Sequence, residues 1–98
     1  MGRKNLSRVL VIETPYTDLE SSKTEVVRKF SQDIDPTELL WHRDDENREI
    51  ISENSTDWMI QLDNALPVSL NNTITIPRHE WHRLIKGSGD LILKIKKY

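Results

Sequence analysis

The segment Ile76-Pro77-Arg78-His79-Glu80-Trp81-His82 is the most informative part of this chain. It ends a β-branched run with a proline and places a histidine five residues after that proline. A second histidine lies in Trp41-His42-Arg43-Asp44, followed two positions later by a carboxylate. Side chains two positions apart on a β-strand share one face. We therefore expect His42, Asp44 and His82 to point into one pocket.

Length and composition limit both the fold and the function. The chain has 98 residues, a formal net charge of −2 and no cysteine. This length predicts a single small domain over residues 1–98, with a modest core. The nearly balanced charge argues against nucleic-acid binding, and the lack of cysteine excludes disulfides, thiolate metal sites and cysteine nucleophiles.

The apolar segments of the sequence are short. The run Val9–Ile12 is too short for the hydrophobic region of a signal peptide, and no stretch reaches the length of a membrane span. We therefore expect a cytoplasmic protein without a membrane partner.

Alternating apolar residues and frequent turn signals predict an all-β protein. Residues 16–22 are polar and predict a loop, either irregular or with one helical turn. Residues 24–31 fit a short helix as well as a strand, but their β-branched content favours a strand. Asp35 and Pro36 suit the start of one helical turn. The predicted strands cover residues 8–13, 24–31, 39–44, 48–53, 58–62, 66–70, 73–76, 81–86 and 91–96.

The candidate site consists of His42, Asp44, Glu49 and His82. Strands 39–44 and 48–53 are predicted to form a hairpin, which would place Glu49 across from the first two. Imidazole nitrogens and carboxylate oxygens together suit one divalent ion of iron, manganese, nickel or zinc. No other cofactor is indicated, since the chain has no Gly-rich phosphate loop.

The first part of this pattern resembles the first motif of the cupins, which are small double-stranded β-helix barrels. That motif has two histidines one residue apart and a glutamate five residues after the second. His42 and Glu49 keep the spacing, whereas Asp44 stands at the position of the second histidine.

The second cupin motif has a proline, any residue, a glycine, two residues and a histidine. Pro77 and His82 keep this spacing, whereas His79 stands in place of the glycine. The resemblance covers residues 37–96. It implies a small cupin-like double-stranded β-helix, or jelly-roll, barrel with at most one or two short helical turns. The barrel core would span residues 23–96.

The resemblance also implies that His42, Glu49 and His82 are metal ligands, with Asp44 in place of a histidine. Any catalysis would then be metal-dependent, of the oxygenase or isomerase type known in cupins. Residues 41–44, 61–67 and 81–87 are also similar to small cupin-like proteins of tailed phages.

Two functions remain open at this stage. The first is a metal site that binds a small molecule, with Lys94 or Arg83 as the basic residue nearest to it. The second is a metal-free interaction or structural module, phage-encoded, that forms a homodimer or binds a host protein. In that case the charges around residues 43–48 pair across a turn, and both histidines have satisfied hydrogen bonds. Trp41 and Trp81 are expected on the face opposite the histidines.

Overall fold

The computed structural model describes residues 15–98, and the regular secondary structure of this part of the chain is almost entirely antiparallel strands. A single 3-10 turn, Pro36–Glu38, is its only helical element. No helix in residues 15–98 has the length and apolar character needed to cross a membrane. The strands are β1 (Thr17–Ser21), β2 (Glu25–Phe30), β3 (Arg48–Ser52), β4 (Met59–Leu62), β5 (Val68–Ser69), β6 (Ile74–Ile76), β7 (His82–Ile85) and β8 (Leu91–Lys97).

The strands form two sheets that pack face to face. The larger sheet has the order β1-β2-β8-β3-β6 and the smaller sheet the order β5-β4-β7. The core joins them, since the rings of Phe30 on β2 and Trp58 before β4 lie 6.1 Å apart between centroids. This architecture confirms the predicted all-β barrel.

The core follows from the alternation of side chains along the strands. Leu91, Leu93 and Ile95 of β8 are buried, whereas Lys96 is exposed. Trp58 is completely buried, and its indole Nε1 donates a hydrogen bond of 3.0 Å to the carbonyl of Gly89. Burying such side chains contributes roughly 1.5–3 kcal/mol each, so these positions hold the two sheets together.

The first strand of the structure corrects the sequence prediction. Residues 16–22 were expected to form a loop, but Thr17–Ser21 is the edge strand β1, paired with β2. All five of its residues are exposed, so no apolar alternation marks it in the sequence. Its backbone hydrogen bonds to β2 are what make it a strand. The predicted strand over residues 24–31 is confirmed as β2, whereas the predicted strand 8–13 lies outside the described residues.

The segment before β3 also differs from the prediction. Residues 39–44 do not form a strand or a hairpin with β3, and only His42 makes a single bridge, to His82. Both edges of β3 are occupied by β6 and β8, so no edge is left for residues 39–44. The predicted helical turn is confirmed, because the Asp35 carboxylate accepts a 3.0 Å hydrogen bond from the Thr37 amide, and Pro36 opens the turn.

Candidate metal centre

Two histidines face each other at the edge of the smaller sheet. The amide of His42 donates to the carbonyl of His82 at 3.0 Å, and the amide of His82 donates to the carbonyl of His42 at 2.9 Å. Their ring centroids lie 4.3 Å apart. His82 is buried and His42 is exposed, so the pair connects the interior of the barrel with its surface. The predicted convergence of the two histidines is confirmed.

Backbone carbonyls determine which ring nitrogen of each histidine carries the proton. Nδ1 of His42 lies 3.0 Å from the carbonyl oxygen of Leu40, and Nδ1 of His82 lies 2.7 Å from that of Glu80. A carbonyl oxygen can only accept, so Nδ1 must be the donor in both rings. In the neutral rings Nε2 then has a free lone pair, which is the arrangement of a metal-binding histidine oriented by its backbone.

Asp44 completes the cluster from the loop before β3. Its Oδ2 lies 3.2 Å from Nε2 of His82 and 3.3 Å from Nη1 of Arg48. This oxygen is shielded from solvent and makes no well-aligned hydrogen bond with any residue in 15–98. With the proton on Nδ1, a neutral His82 has the lone pair of Nε2 within 3.2 Å of a carboxylate oxygen, and a cation close to both atoms offsets their repulsion. That cation can be the Arg48 guanidinium, a proton on Nε2 or a metal ion.

The cluster therefore fits a metal ion by its chemistry. One ligand atom each from His42, Asp44 and His82 lie within 4.8 Å of one another. Two imidazole nitrogens and a carboxylate oxygen are a ligand set for divalent iron, manganese, nickel or zinc.

The ionisation of Asp44 suits this role. Burial raises the pKa of the Asp44 carboxyl and is the largest single influence on it. The opposing attraction of His82, Arg48 and His42 outweighs burial, so the pKa lies below its ordinary value. The cluster therefore contains a carboxylate at neutral pH, the form that binds a cation.

A turn in the second motif positions Asp44. The amide of His79 donates a 2.7 Å hydrogen bond to the carbonyl of Asp44. His79 has φ 67°, the left-handed conformation that favours glycine. At the position where cupins have a glycine, this chain thus has a histidine whose backbone adopts a conformation typical of glycine. The His79 side chain is exposed and lies 3.4 Å from Asp45, outside the cluster.

Glu49, the fourth predicted ligand, is not part of the cluster. Arg48 and Ile50 of β3 point inward, so the residue between them points outward. Glu49 pairs in register with Lys96 of β8 and borders a small surface cavity with Lys94. The prediction failed because it depended on a hairpin between residues 39–44 and β3 that does not form.

A cavity of about 330 Å³ lies beside the cluster, and His42 and Asp44 form part of its wall. A second cavity of about 50 Å³ lies deeper in the barrel and is bordered by both histidines. The remaining wall of the larger cavity is mostly apolar, with Tyr16, Phe30, Leu39, Leu40 and Leu84 among its residues. A mixed wall of this kind, with few polar groups at one side, is typical of a small-molecule site.

Two arginines line the same cavity, and sequence reasoning did not single them out. Arg28 and Arg48 both border it, whereas the predicted basic residues Lys94 and Arg83 do not. Instead, Nζ of Lys94 lies 3.8 Å from Oε1 of Glu25. The sequence places Arg28 two positions from both Val26 and Phe30, but this spacing becomes a signal only once the inner face of β2 is known.

The outer face of the smaller sheet carries two tryptophans. Trp41 and Trp81 are 40% and 43% exposed, on the side of their segments opposite the histidines. The guanidinium of Arg83 lies 4.9 Å from the ring centre of Trp41, and that of Arg43 lies 5.2 Å from the ring centre of Trp81. These pairs cover the aromatic faces with cations and do not enter the cavity.

Comparison with known proteins agrees with the fold. No protein-family model matches the sequence, and no curated protein matches it either. Among solved structures, an RmlC-like cupin family protein with a double-stranded β-helix fold from Methanocaldococcus jannaschii aligns at 11% identity and a TM-score of 0.58, over 87% of this chain and 82% of that one. KdgF from a Halomonas species aligns at 11% identity and a TM-score of 0.60, over 89% and 83%.

A structure of Fe(II)-HppE with an alternative substrate is also similar. It aligns at 14% identity and a TM-score of 0.63, over 85% of this chain but 48% of that one, so the present chain spans about half its length. At such identities the comparison shows the fold alone. The chain has the double-stranded β-helix fold of the cupins.

Proposed function

We propose that this cupin-fold protein binds one divalent transition-metal ion through His42, Asp44 and His82, and binds a small molecule in the cavity beside it. The observation that carries the proposal is the convergence of one ligand atom each from His42, Asp44 and His82 within 4.8 Å. The solvent-shielded Oδ2 of Asp44 lies 3.2 Å from Nε2 of His82 and 3.3 Å from Nη1 of Arg48, without an aligned hydrogen bond among residues 15–98. Cations are the partners that suit a buried carboxylate oxygen, and a metal ion would add to the positive charge that Arg48 supplies.

The three residues have distinct parts in this function. His42 and His82 would supply Nε2 ligands, held in place by the carbonyls that accept from their Nδ1 atoms. Asp44 would supply the anionic oxygen, and Nη1 of Arg48 lies 3.3 Å from Oδ2 of the same carboxylate. A bound ion would supply Lewis-acid or redox chemistry to a molecule in the cavity. The similar structure of Fe(II)-HppE supports iron as one ion to test.

Metal content of the purified protein tests the proposal. The protein, freed of any affinity tag, is stripped with a chelator and then dialysed against iron(II), manganese, nickel or zinc. Elemental analysis is expected to find one ion per chain for at least one of these metals. The melting temperature is expected to rise with that metal, because an ion that binds only the folded state stabilises it.

Two histidine variants make the test specific. His42→Ala removes an exposed ligand with little effect on the core and is expected to abolish the bound ion. His79→Ala is the matched control, since this exposed histidine lies outside the cluster. A wild-type protein without metal and without a thermal shift would contradict the proposal, as would equal metal content in both variants.

The exposed tryptophan face favours a second candidate function. Trp41 and Trp81 present aromatic surface on one side of the smaller sheet, which suits contact with a second copy of the chain. In this alternative the protein is a metal-free interaction module, and Asp44, His82 and Arg48 form an internal ion-pair network. Light scattering separates the two: a metal-free dimer favours the module, and a metal-loaded monomer favours the metal site.

A further inference from the structure

Two charged side chains occupy inward positions of the larger sheet. Arg28 stands between Val26 and Phe30 on the inner face of β2, where it pairs in register with Leu93. Arg48 stands next to Ile50 on the inner face of β3. An inward position normally takes an apolar residue, because a charge removed from water must be compensated. Two such exceptions border one cavity.

The two arginines differ in how far the protein itself satisfies them. Arg48 has two carboxylates within 3.3 Å, those of Asp44 and Glu46, and so stabilises the cluster, although its buried Nε has no hydrogen-bond partner among residues 15–98. Within residues 15–98 Arg28 has one carboxylate, that of Asp18, whose two oxygens accept from Nε at 2.7 Å and from Nη2 at 3.3 Å. An arginine has five N–H groups, so these two bonds leave three for another acceptor.

Arg28 is also held rigidly. Its guanidinium lies 3.7 Å from the ring centre of Tyr16, and its side chain is 15% exposed. Stacking on one face and a two-pronged ion pair at one edge orient the remaining N–H groups before any ligand arrives. A guanidinium oriented in this way is suited to a carboxylate, which accepts two parallel N–H bonds.

The rest of the cavity restricts the size and polarity of the ligand. Its volume of about 330 Å³ suits a small molecule, and Phe30, Leu39 and Leu84 supply apolar wall. The cavity is also bordered by Glu38 and Asp44, so an anion must bind away from these carboxylates. A metal ion at the cluster would add positive charge and further favour an anion.

From these features we infer that Arg28 binds the carboxylate of a small organic acid whose apolar part lies against the wall of this cavity. The inference rests on the proposed function in taking this cavity as the ligand site. Arg28 is here a binding residue, whereas the metal ligands are other side chains. The two ideas can therefore fail separately.

Benzoate and its neutral isostere benzamide are the probes. Their affinities are measured by calorimetry and by ligand-observed NMR, on chelator-stripped protein and on protein loaded with zinc. Benzoate is expected to bind at least about tenfold more tightly than benzamide, the ratio that a charge-assisted hydrogen bond gives. Equal affinity for the two probes, or no binding of either, would overturn the inference.

Variants assign the effect to Arg28. Arg28→Gln is expected to remove the preference for benzoate while leaving the zinc content unchanged. Arg83→Gln is the matched control, because that arginine stacks on Trp41 outside the cavity, and it should keep the preference. A preference that persists in Arg28→Gln would refute the assignment. Loss of zinc from the wild type, with the preference retained, would refute the metal site and leave this inference standing.

A second variant covers the case in which Arg28→Gln does not fold. Asp18→Asn leaves Arg28 in place with an amide oxygen that can still accept from its Nε, and removes the negative charge that offsets the guanidinium. It is expected to bind benzoate several-fold more tightly than the wild type does. Unchanged or weaker binding by a folded Asp18→Asn protein would count against Arg28 as the anion-binding residue.

Discussion

Replacing Asp44 by asparagine tests both the stability and the chemistry of the cluster. The substitution keeps the size of the side chain and removes one negative charge. Two cationic or protonatable atoms lie close to the lost charge, Nε2 of His82 at 3.2 Å and Nη1 of Arg48 at 3.3 Å. Asp44→Asn is therefore expected to destabilise the metal-free protein at pH 7.

The magnitude follows from the geometry of the Arg48 pair. Two unit charges 3.3 Å apart attract by about 5 kcal/mol at an effective dielectric constant of about 20. Desolvation of both groups offsets much of this, and Glu46 remains as a partner for Arg48 in the variant. We expect a net loss of about 1–3 kcal/mol, or about 5–20 °C in melting temperature for a domain of this size.

Asp45→Asn is the matched control on the neighbouring residue. The Asp45 side chain is 99% exposed and only approaches His79, at 3.4 Å. Its replacement is expected to change the free energy of unfolding by less than about 0.5 kcal/mol. Urea unfolding at pH 7, on metal-free protein, compares the two variants. If the Asp44→Asn protein were as stable as the Asp45→Asn protein, the ion pair between Asp44 and Arg48 would make no net contribution to the free energy of unfolding.

The same two variants then report on metal binding. A metal present at 100 times its dissociation constant stabilises the folded state by about 2.7 kcal/mol. The wild type and Asp45→Asn are expected to show the full shift, and Asp44→Asn a much smaller one. An equal shift in all three proteins would exclude Asp44 as a ligand.

Three further predictions concern the turns around the site and the core. His79→Gly is expected to be about 1 kcal/mol more stable than His79→Ala in urea unfolding, because a φ of 67° strains alanine but not glycine. Equal stabilities of the two variants would contradict this backbone strain. Gly87→Ala should cost about 1–3 kcal/mol by the same measurement, since a Cβ there would lie 2.6 Å from the backbone nitrogen of Trp58, and a loss below about 0.5 kcal/mol would argue against this close approach. The amide and hydroxyl of Ser88 lower the pKa of Asp57, so its carboxylate stabilises the fold above about pH 4, and this contribution is lost as the pH falls through the lowered pKa. Asp57→Asn should accordingly be less stable than the wild type at pH 7 and equal to it in acid, and parallel pH profiles would disprove this.

Local signals in the sequence predicted the elements that depend on neighbouring residues. Asp35 and Pro36 start the 3-10 turn because a carboxylate cap and a proline act within one turn of backbone. The alternation of Leu91, Leu93 and Ile95 gives β8 because a buried face repeats every second residue. The edge strand β1 has no such alternation, so only its pairing with β2 reveals it.

The candidate site was predictable in part for the same reason. The spacing of the two motifs indicated that His42, Asp44 and His82 converge, and the structure brings them together. Glu49 was misplaced because its direction depends on which strands flank β3, and those strands lie far from it in the chain. Arg28 was overlooked because a lone charge in a strand becomes unusual only when the strand's inner face is known.

The amino-acid sequence by itself determined the all-β character, the local turn at residues 35–38 and the absence of thiol chemistry, since each depends on composition or on short-range periodicity. Only the tertiary structure decided that β8 lies between β2 and β3, that Glu49 faces outward, and that Arg28 shares a cavity with His42. Strand pairing of this kind depends on the burial of one common core, to which residues distant in the chain contribute together. A local sequence pattern does not contain this information.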